Sequence, residues 1–175
     1  LARHHSKVQH FSIVLLLIQV SFVNLNFFVD TNFHNLLYSA SSVSFSALSN
    51  AGISDIRMSS VHATAPVDCP PGSPDFLNAA LTGYCGIPPL ELLAFCKELE
   101  RKAGRPAHYQ LNSPRPLDID IILYGDLVYS DDRLTIPHPR AAGRRFVLEP
   151  LAEIAPELVF PDSGLTVREL AGRLG

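Results

Sequence analysis

Two carboxylates one residue apart, Asp118 and Asp120, stand at the head of Asp118-Ile-Asp-Ile-Ile-Leu-Tyr-Gly125. The apolar run from Ile119 to Leu123 predicts a buried strand that stops at Gly125. Period two then sets Asp118, Asp120, Ile122 and Tyr124 on one face and Ile119, Ile121 and Leu123 on the other. Side-by-side carboxylates in such a place repel each other, lose hydration and need a compensating cation. A salt bridge to Arg115 would satisfy them, and for an isolated Asp-x-Asp that plain reading wins more often. A divalent metal would also serve. Hard oxygen donors suit Mg²⁺, which takes one or two carboxylates and completes its shell with water and phosphate. Arg105, Arg115, Arg140, Arg144 and Arg145 flank the strand, and His138 lies between Pro137 and Pro139. Guanidinium forks beside a metal-holding acid pair fit a polyphosphate substrate. The pattern points to phosphoryl or nucleotidyl transfer.

The elements that must position these groups can be read on either side. Alternation of Ile56, Met58 and Val61 predicts a strand across residues 55–64. Proline and glycine cluster over residues 66–74, which makes that stretch a loop. Residues 75–83 read as a strand or extended segment. Pro88 and Pro89 open a helix with Leu92, Leu93, Cys96 and Leu99 at helical spacing, Glu98 placed to pair with Lys102, and Gly104 ending it. Thr166 and Glu169 form a capping-box pattern for a last helix over residues 167–174.

Composition sets outer bounds. The chain has 175 residues, enough for one domain with a substantial core. A net charge of −3 offers no basic excess for bulk nucleic acid. Cys69, Cys85 and Cys96 show no Cys-x-x-Cys spacing, so reduced thiols in a cytoplasmic protein are the plainer reading. Residues 1–51 stand apart, because they hold neither glycine nor proline and only Arg3, Lys7 and Asp30 as full charges. The apolar run over residues 11–23 follows a basic start, as in a signal or anchor segment. Gln19 and Ser21 interrupt it before the ~20 residues a bilayer span needs. Three readings follow: an export or anchor segment, a divergent strand and helix of the core, or an upstream or out-of-frame translation joined to a real domain. The third is favoured, which gives residues 1–46 as an unassigned segment and residues 47–175 as the domain.

Taken together, the motifs resemble the 6-hydroxymethyl-7,8-dihydropterin pyrophosphokinase family. The resemblance runs from about Leu48 to Asp162 and rests on Ser59-Ser-Val-His-Ala-Thr-Ala-Pro-Val67, Pro74-Asp-Phe-Leu-Asn-Ala-Ala80, Pro114-Arg-Pro-Leu-Asp-Ile-Asp-Ile-Ile-Leu-Tyr-Gly125, Leu134-Thr-Ile-Pro-His138 and Phe146-Val-Leu-Glu-Pro-Leu-Ala-Glu-Ile-Ala-Pro156. It implies an α/β (α+β) fold of ferredoxin-like type, with an antiparallel sheet and helices on both faces. It implies ATP-dependent pyrophosphoryl transfer to the hydroxymethyl pterin in folate biosynthesis, with AMP released. The alternatives are an inactive remnant of that enzyme or a membrane-tethered binding module.

The resemblance also implies residue roles. Asp118 and Asp120 would hold two Mg²⁺ ions. Arg105 and Arg115 would bind phosphates and stabilise the transition state. Lys97, Glu100, Ile121, Thr135, His138 and Arg144 would contact ATP. Phe76 and Phe146 would sandwich the pterin, with Asn78, Thr64, Pro66 and Val67 along its edge. Taken singly, Phe76 and Phe146 would pass for core residues, Arg140 and Arg145 for solvated charges, and His62 and His108 carry no role. Partners would be small molecules and other folate-pathway enzymes by fusion or association, with no nucleic acid and no membrane. The chain departs from the family pattern at Ala107 and Asn112, where the family often has arginine and tryptophan, and it has no Gly-Ser-Asn turn before Gly52. The family's first strand is accordingly expected to be missing.

Overall fold

The computed structural model describes residues 12–21, 48–65, 75–104 and 117–175. Their frame is an antiparallel sheet of β1 (Ser12–Ser21), β2 (Ile53–Met58), β3 (His62–Thr64), β4 (Phe76–Cys85) and β5 (Asp118–Tyr124). The strands run in the order β2-β4-β1-β5, and β3 continues beside β4 where β2 leaves off. This is the strand order of a ferredoxin-like sheet. Two short hairpins follow, β6 (Tyr129–Ser130) with β7 (Thr135–Ile136), and β8 (Val159–Phe160) with β9 (Leu165–Thr166).

Helices cover both faces. On one, α1 (Pro89–Lys102) packs Leu92, Cys96 and Leu99 against Ile18, Leu77, Leu81, Ile119 and Ile121. On the other, α2 (Arg145–Ile154) and α3 (Val167–Arg173) pack Val147, Leu148, Leu151 and Leu170 against Leu17, Ala80, Ile122 and Leu123. Two covered faces explain why residues 119–123 read as a nearly continuous apolar run, since Ile119 and Ile121 meet one core and Ile122 and Leu123 the other.

Local chemistry sets the element ends. Pro89 opens α1, where its missing N–H costs no helical bond, and Arg101 and Lys102 lie in the last turn, where they complement the dipole. Glu98 accepts from Arg101 at 2.7 Å and lies 3.6 Å from Lys102. Both bonds of the Thr166–Glu169 capping box form at the start of α3. Gly125 takes φ +52 directly after β5, a conformation that a side chain resists.

The strand read across residues 55–64 is broken at residues 59–61 into β2 and β3, and the structure differs from the sequence reading in two further places. The reading set residues 1–46 apart from the domain, yet Ser12–Ser21 runs through the middle of the sheet, paired with β4 on one side and β5 on the other. Leu17 and Ile18 are both buried, one toward each helical layer. The second difference lies in β5. Leu15 pairs with Leu123 and Leu16 with Ile121, so Ile122 has no partner of its own across the ladder. This bulge breaks the alternation. Tyr124 joins Ile119 and Ile121 in the α1 layer, and Leu123 joins Ile122 in the α2 layer.

A second irregularity makes Gly83 indispensable. Ser54 pairs with Tyr84 and Arg57 with Thr82, so Asp55 and Ile56 both lie opposite Gly83, with Asp55 at φ +50. A methyl group on Gly83 would come within 2.7 Å of Ile53 Cγ2 and 3.0 Å of the Ser54 carbonyl. Ile53 is a core residue and Ser54 offers backbone, so neither yields easily. Gly83→Ala is therefore expected to destabilise the domain by about 1–3 kcal/mol, read from urea unfolding.

Candidate active site

The sheet brings the chemistry-bearing residues into register. Directly opposed residues on antiparallel strands point to the same face. His62 on β3 lies opposite Asn78 on β4, Asn78 opposite Gln19 on β1, and Gln19 opposite Asp118 on β5. One transverse row thus crosses four strands. The next row is Ala80, Leu17 and Asp120. Leu17 and Ala80 belong to the α2 layer, so Asn78, Gln19, Asp118 and Asp120 all lie on the face that α2 covers. Phe76 shares that face by period two and pairs with Thr64 and Ser21. Phe146, in the first turn of α2, packs against the same layer.

Asn78 is the hub of the row. It is 0% exposed. Its Oδ1 accepts from Gln19 Nε2 at 3.0 Å, and its Nδ2 donates to Thr64 Oγ1 at 2.8 Å and to the His62 carbonyl at 3.4 Å. Those bonds join β3 to β1 across β4.

The acid pair stands two strands away. The Asp118 side chain is 17% exposed and has Lys97 Nζ at 3.8 Å. Lys97 belongs to α1 on the opposite face. It reaches Asp118 because β5 ends the described sheet and a long side chain can pass around it. Glu100, one turn on, is buried with its side chain at 0% exposure. It accepts from Lys97 Nζ at 2.6 Å and from the Ile119 backbone N–H at 2.9 Å. The backbone between the two aspartates is thus held by a buried carboxylate. Among the described residues no group of three or more His, Cys, Asp and Glu gathers as a metal cage. Two half-buried carboxylates on one face remain, a donor set that suits a hard cation whose other ligands are phosphate and water.

The loop after β7 closes the far side of the acids. The His138 backbone N–H donates to the Ile122 carbonyl at 2.9 Å, docking the loop on β5 at its bulge. His138 Nδ1 accepts from the Arg140 N–H at 3.3 Å, so the neutral ring carries its proton on Nε2. Burial lowers the pKa of His138 from its ordinary value; the Asp120 charge opposes this, and Arg144 and Arg140 add to it. Arg144 is the N-cap of α2, and its guanidinium lies 5.2 Å from the centroid of the Phe146 ring, within cation–π range.

Not every residue named from the sequence meets at this face. Ile121 is buried in the α1 layer, with its side chain turned away from the acids. Thr135 lies on β7, with its Oγ1 3.2 Å from Ser130 Oγ. Arg105, Arg115, Pro66 and Val67 fall outside the described residues. The sequence reading missed Gln19 altogether. It registered only as a polar break in an apolar run, yet it stands between Asn78 and Asp118.

Comparison with known proteins agrees with this frame. The family described as 7,8-dihydro-6-hydroxymethylpterin-pyrophosphokinase (HPPK) matches residues 28–156. A Synechocystis relative named 2-amino-4-hydroxy-6-hydroxymethyldihydropteridine pyrophosphokinase is 46% identical over 100 residues, covering 57% of this chain and 51% of the relative. A Haemophilus influenzae protein of the same name is 38% identical over 118 residues, covering 67% of this chain and 71% of its own length. A mitochondrial folate synthesis bifunctional protein of Arabidopsis thaliana is 41% identical over 116 residues, covering 66% of this chain and 21% of its own length. The chain thus spans about half of the Synechocystis relative and a fifth of the Arabidopsis one. Among solved structures, a Plasmodium falciparum HPPK-DHPS A437G crystal structure with SDX-DHP superposes with a TM-score of 0.67 at 14% identity, covering 96% of this chain and 46% of that one. At that identity the likeness is one of fold.

Proposed function

Because the chain belongs to the 7,8-dihydro-6-hydroxymethylpterin-pyrophosphokinase family, we propose that it transfers pyrophosphate from ATP to the hydroxymethyl group of 6-hydroxymethyl-7,8-dihydropterin, releasing AMP, as a step of folate biosynthesis. One observation supports the reading: Asn78, Gln19, Asp118 and Asp120 lie on one face of the sheet. At the usual strand spacing, Asn78 and Asp118 are roughly 10 Å apart, room for a small flat alcohol to approach a phosphate held by the acids.

In this reading Asp118 and Asp120 would hold two Mg²⁺ ions, which would supply Lewis-acid neutralisation of the phosphate charge. The protein's own groups do the rest. His138 presents Nε2–H beside Asp120 as a neutral donor to a phosphate oxygen. Arg144 supplies fixed positive charge while stacked on Phe146, and Phe146 offers an aromatic face to the heterocycle at about 0.5–1.5 kcal/mol per good contact. Arg105 and Arg115 bind the remaining phosphate charge. Thr64, Pro66 and Val67 line the pterin edge. Lys97 and Glu100 serve the nucleotide side, with Ile121 and Thr135 contributing from the backbone of their strands.

The same reading places the protein in the cytoplasm, next to or fused with a further folate enzyme. Bifunctional relatives support the latter. Among the described residues no helix is long and apolar enough to cross a membrane, and Cys85 and Cys96 are free and buried.

The test is product analysis. Incubation with ATP, Mg²⁺ and the hydroxymethyl dihydropterin is expected to give AMP and the pterin pyrophosphate in equal amounts. ADP in place of AMP overturns the reading, and no turnover by a well-folded protein overturns it and leaves a non-catalytic relative of the family.

A further inference from the structure

Glu153 takes no part in the chemistry above, yet its carboxylate gathers three polar contacts from one segment remote in sequence. Its Oε2 accepts from the Ser60 backbone N–H at 2.7 Å, and its Oε1 accepts from Ser60 Oγ at 2.8 Å. His62 Nε2 lies 2.5 Å from the same Oε1 and 3.4 Å from Ser60 Oγ. Three donors from two residues thus converge on one carboxylate some ninety residues away in sequence. Carboxylate hydrogen bonds of this kind are roughly twice as strong as neutral ones.

The position of the clamp gives it a use. Ser59 and Ser60 form the break where β2 hands over to β3. Ser59 bridges that break by pairing with Ala80 through its own N–H and, through Oγ, with the Ala80 N–H. β3 then supplies His62 and Thr64, the two partners of the Asn78 amide nitrogen. At the other end of the contact, Glu153 is the penultimate residue of α2, whose first turn carries Phe146 and whose cap is Arg144. Pro150 lies inside α2 and has no N–H to give the Phe146 carbonyl, so the turn that carries Phe146 lacks one helical tie. Its placement depends instead on where the body of α2 is fixed.

We propose that Glu153 is a positioning residue that locks β3 to the distal end of α2 through Ser60 and His62, and thereby sets Phe146 against Thr64 and Asn78 at the spacing of the pterin ring. The pterin half of this rests on the function proposed above. The mechanical half does not.

Both halves are tested with Glu153→Gln, which keeps the side chain's size and one acceptor. Ser60→Ala, which removes one donor only, is the milder second variant. In the ligand-free protein, hydrogen exchange over residues 59–65 and 144–148 is expected to quicken together in Glu153→Gln, and less in Ser60→Ala. Quickening confined to residues 59–65 overturns the clamp. Calorimetric titration should show pterin binding weakened about tenfold, with ATP·Mg²⁺ binding held within about twofold. Combined with Phe146→Ala, Glu153→Gln should add nothing further to the loss, because it acts through that ring. Equal weakening of both ligands, or additive losses, overturns the positioning role. A wild-type protein that binds no pterin sinks the functional reading, while the exchange result still decides the clamp.

Discussion

Asp120→Asn is expected to lower AMP formation by about a hundredfold to a thousandfold, the scale of losing one aimed electrostatic group from a phosphoryl-transfer site. Unfolding should shift by no more than about 0.5 kcal/mol. The separation of the two effects is the content of the prediction. Asp120 is half-buried beside a second carboxylate, so the amide removes a repulsion and retains the shape. What disappears is charge needed when cation and nucleotide arrive. Asp118 is a less clean target, because Lys97 lies 3.8 Å from it and would lose a partner in the same substitution. Initial rates with ATP and the pterin, together with urea unfolding of both proteins, decide the matter. A variant with near-normal rate removes the metal-holding role from this pair.

Much of this frame is legible in the amino-acid sequence. The Asp-x-Asp strand, the proline-opened helix and the capping box each rest on chemistry confined to a few neighbouring residues, and each forms where that chemistry put it. The bulge at Ile122 could not be read, because Ile121, Ile122 and Leu123 are all apolar and either face would accept any of them. Only the pairing with β1 reveals which residue is extra. The segment Ser12–Ser21 failed for a related reason. A strand buried on both faces has no alternation to display, and a run of aliphatic residues after a basic start also fits an anchor. Gln19 was the signal in that run. A polar residue inside a doubly covered strand needs a polar partner, and among the described residues Asn78 is one. His62 and Glu153 lay beyond reach, since nothing local couples residues ninety positions apart.

Glu100→Ala is expected to cost about 1–3 kcal/mol of stability, the scale of leaving a buried backbone N–H without its acceptor. Glu100 is the one charged residue among the described residues that is buried. Its carboxylate serves two donors at once, the Lys97 ammonium and the Ile119 N–H. Alanine strips the acceptor from a buried amide on the last described strand of the sheet and opens a void between α1 and β5. Glu100→Gln keeps an oxygen for Ile119 and removes only the charge, so about 1 kcal/mol is expected from it. Activity should follow a different order from stability. Ile119 separates Asp118 from Asp120, so loosening its amide disturbs the spacing of the two carboxylates even at temperatures where the variant stays folded. Rates measured well below the unfolding transition should therefore fall for Glu100→Ala by more than its unfolded fraction explains, and fall less for Glu100→Gln. An alanine variant that unfolds within about 0.5 kcal/mol of the parent would show that the buried carboxylate does not anchor the strand. A variant that is destabilised but keeps full rate in its folded fraction would confine Glu100 to folding and leave the geometry of the acids to the sheet alone.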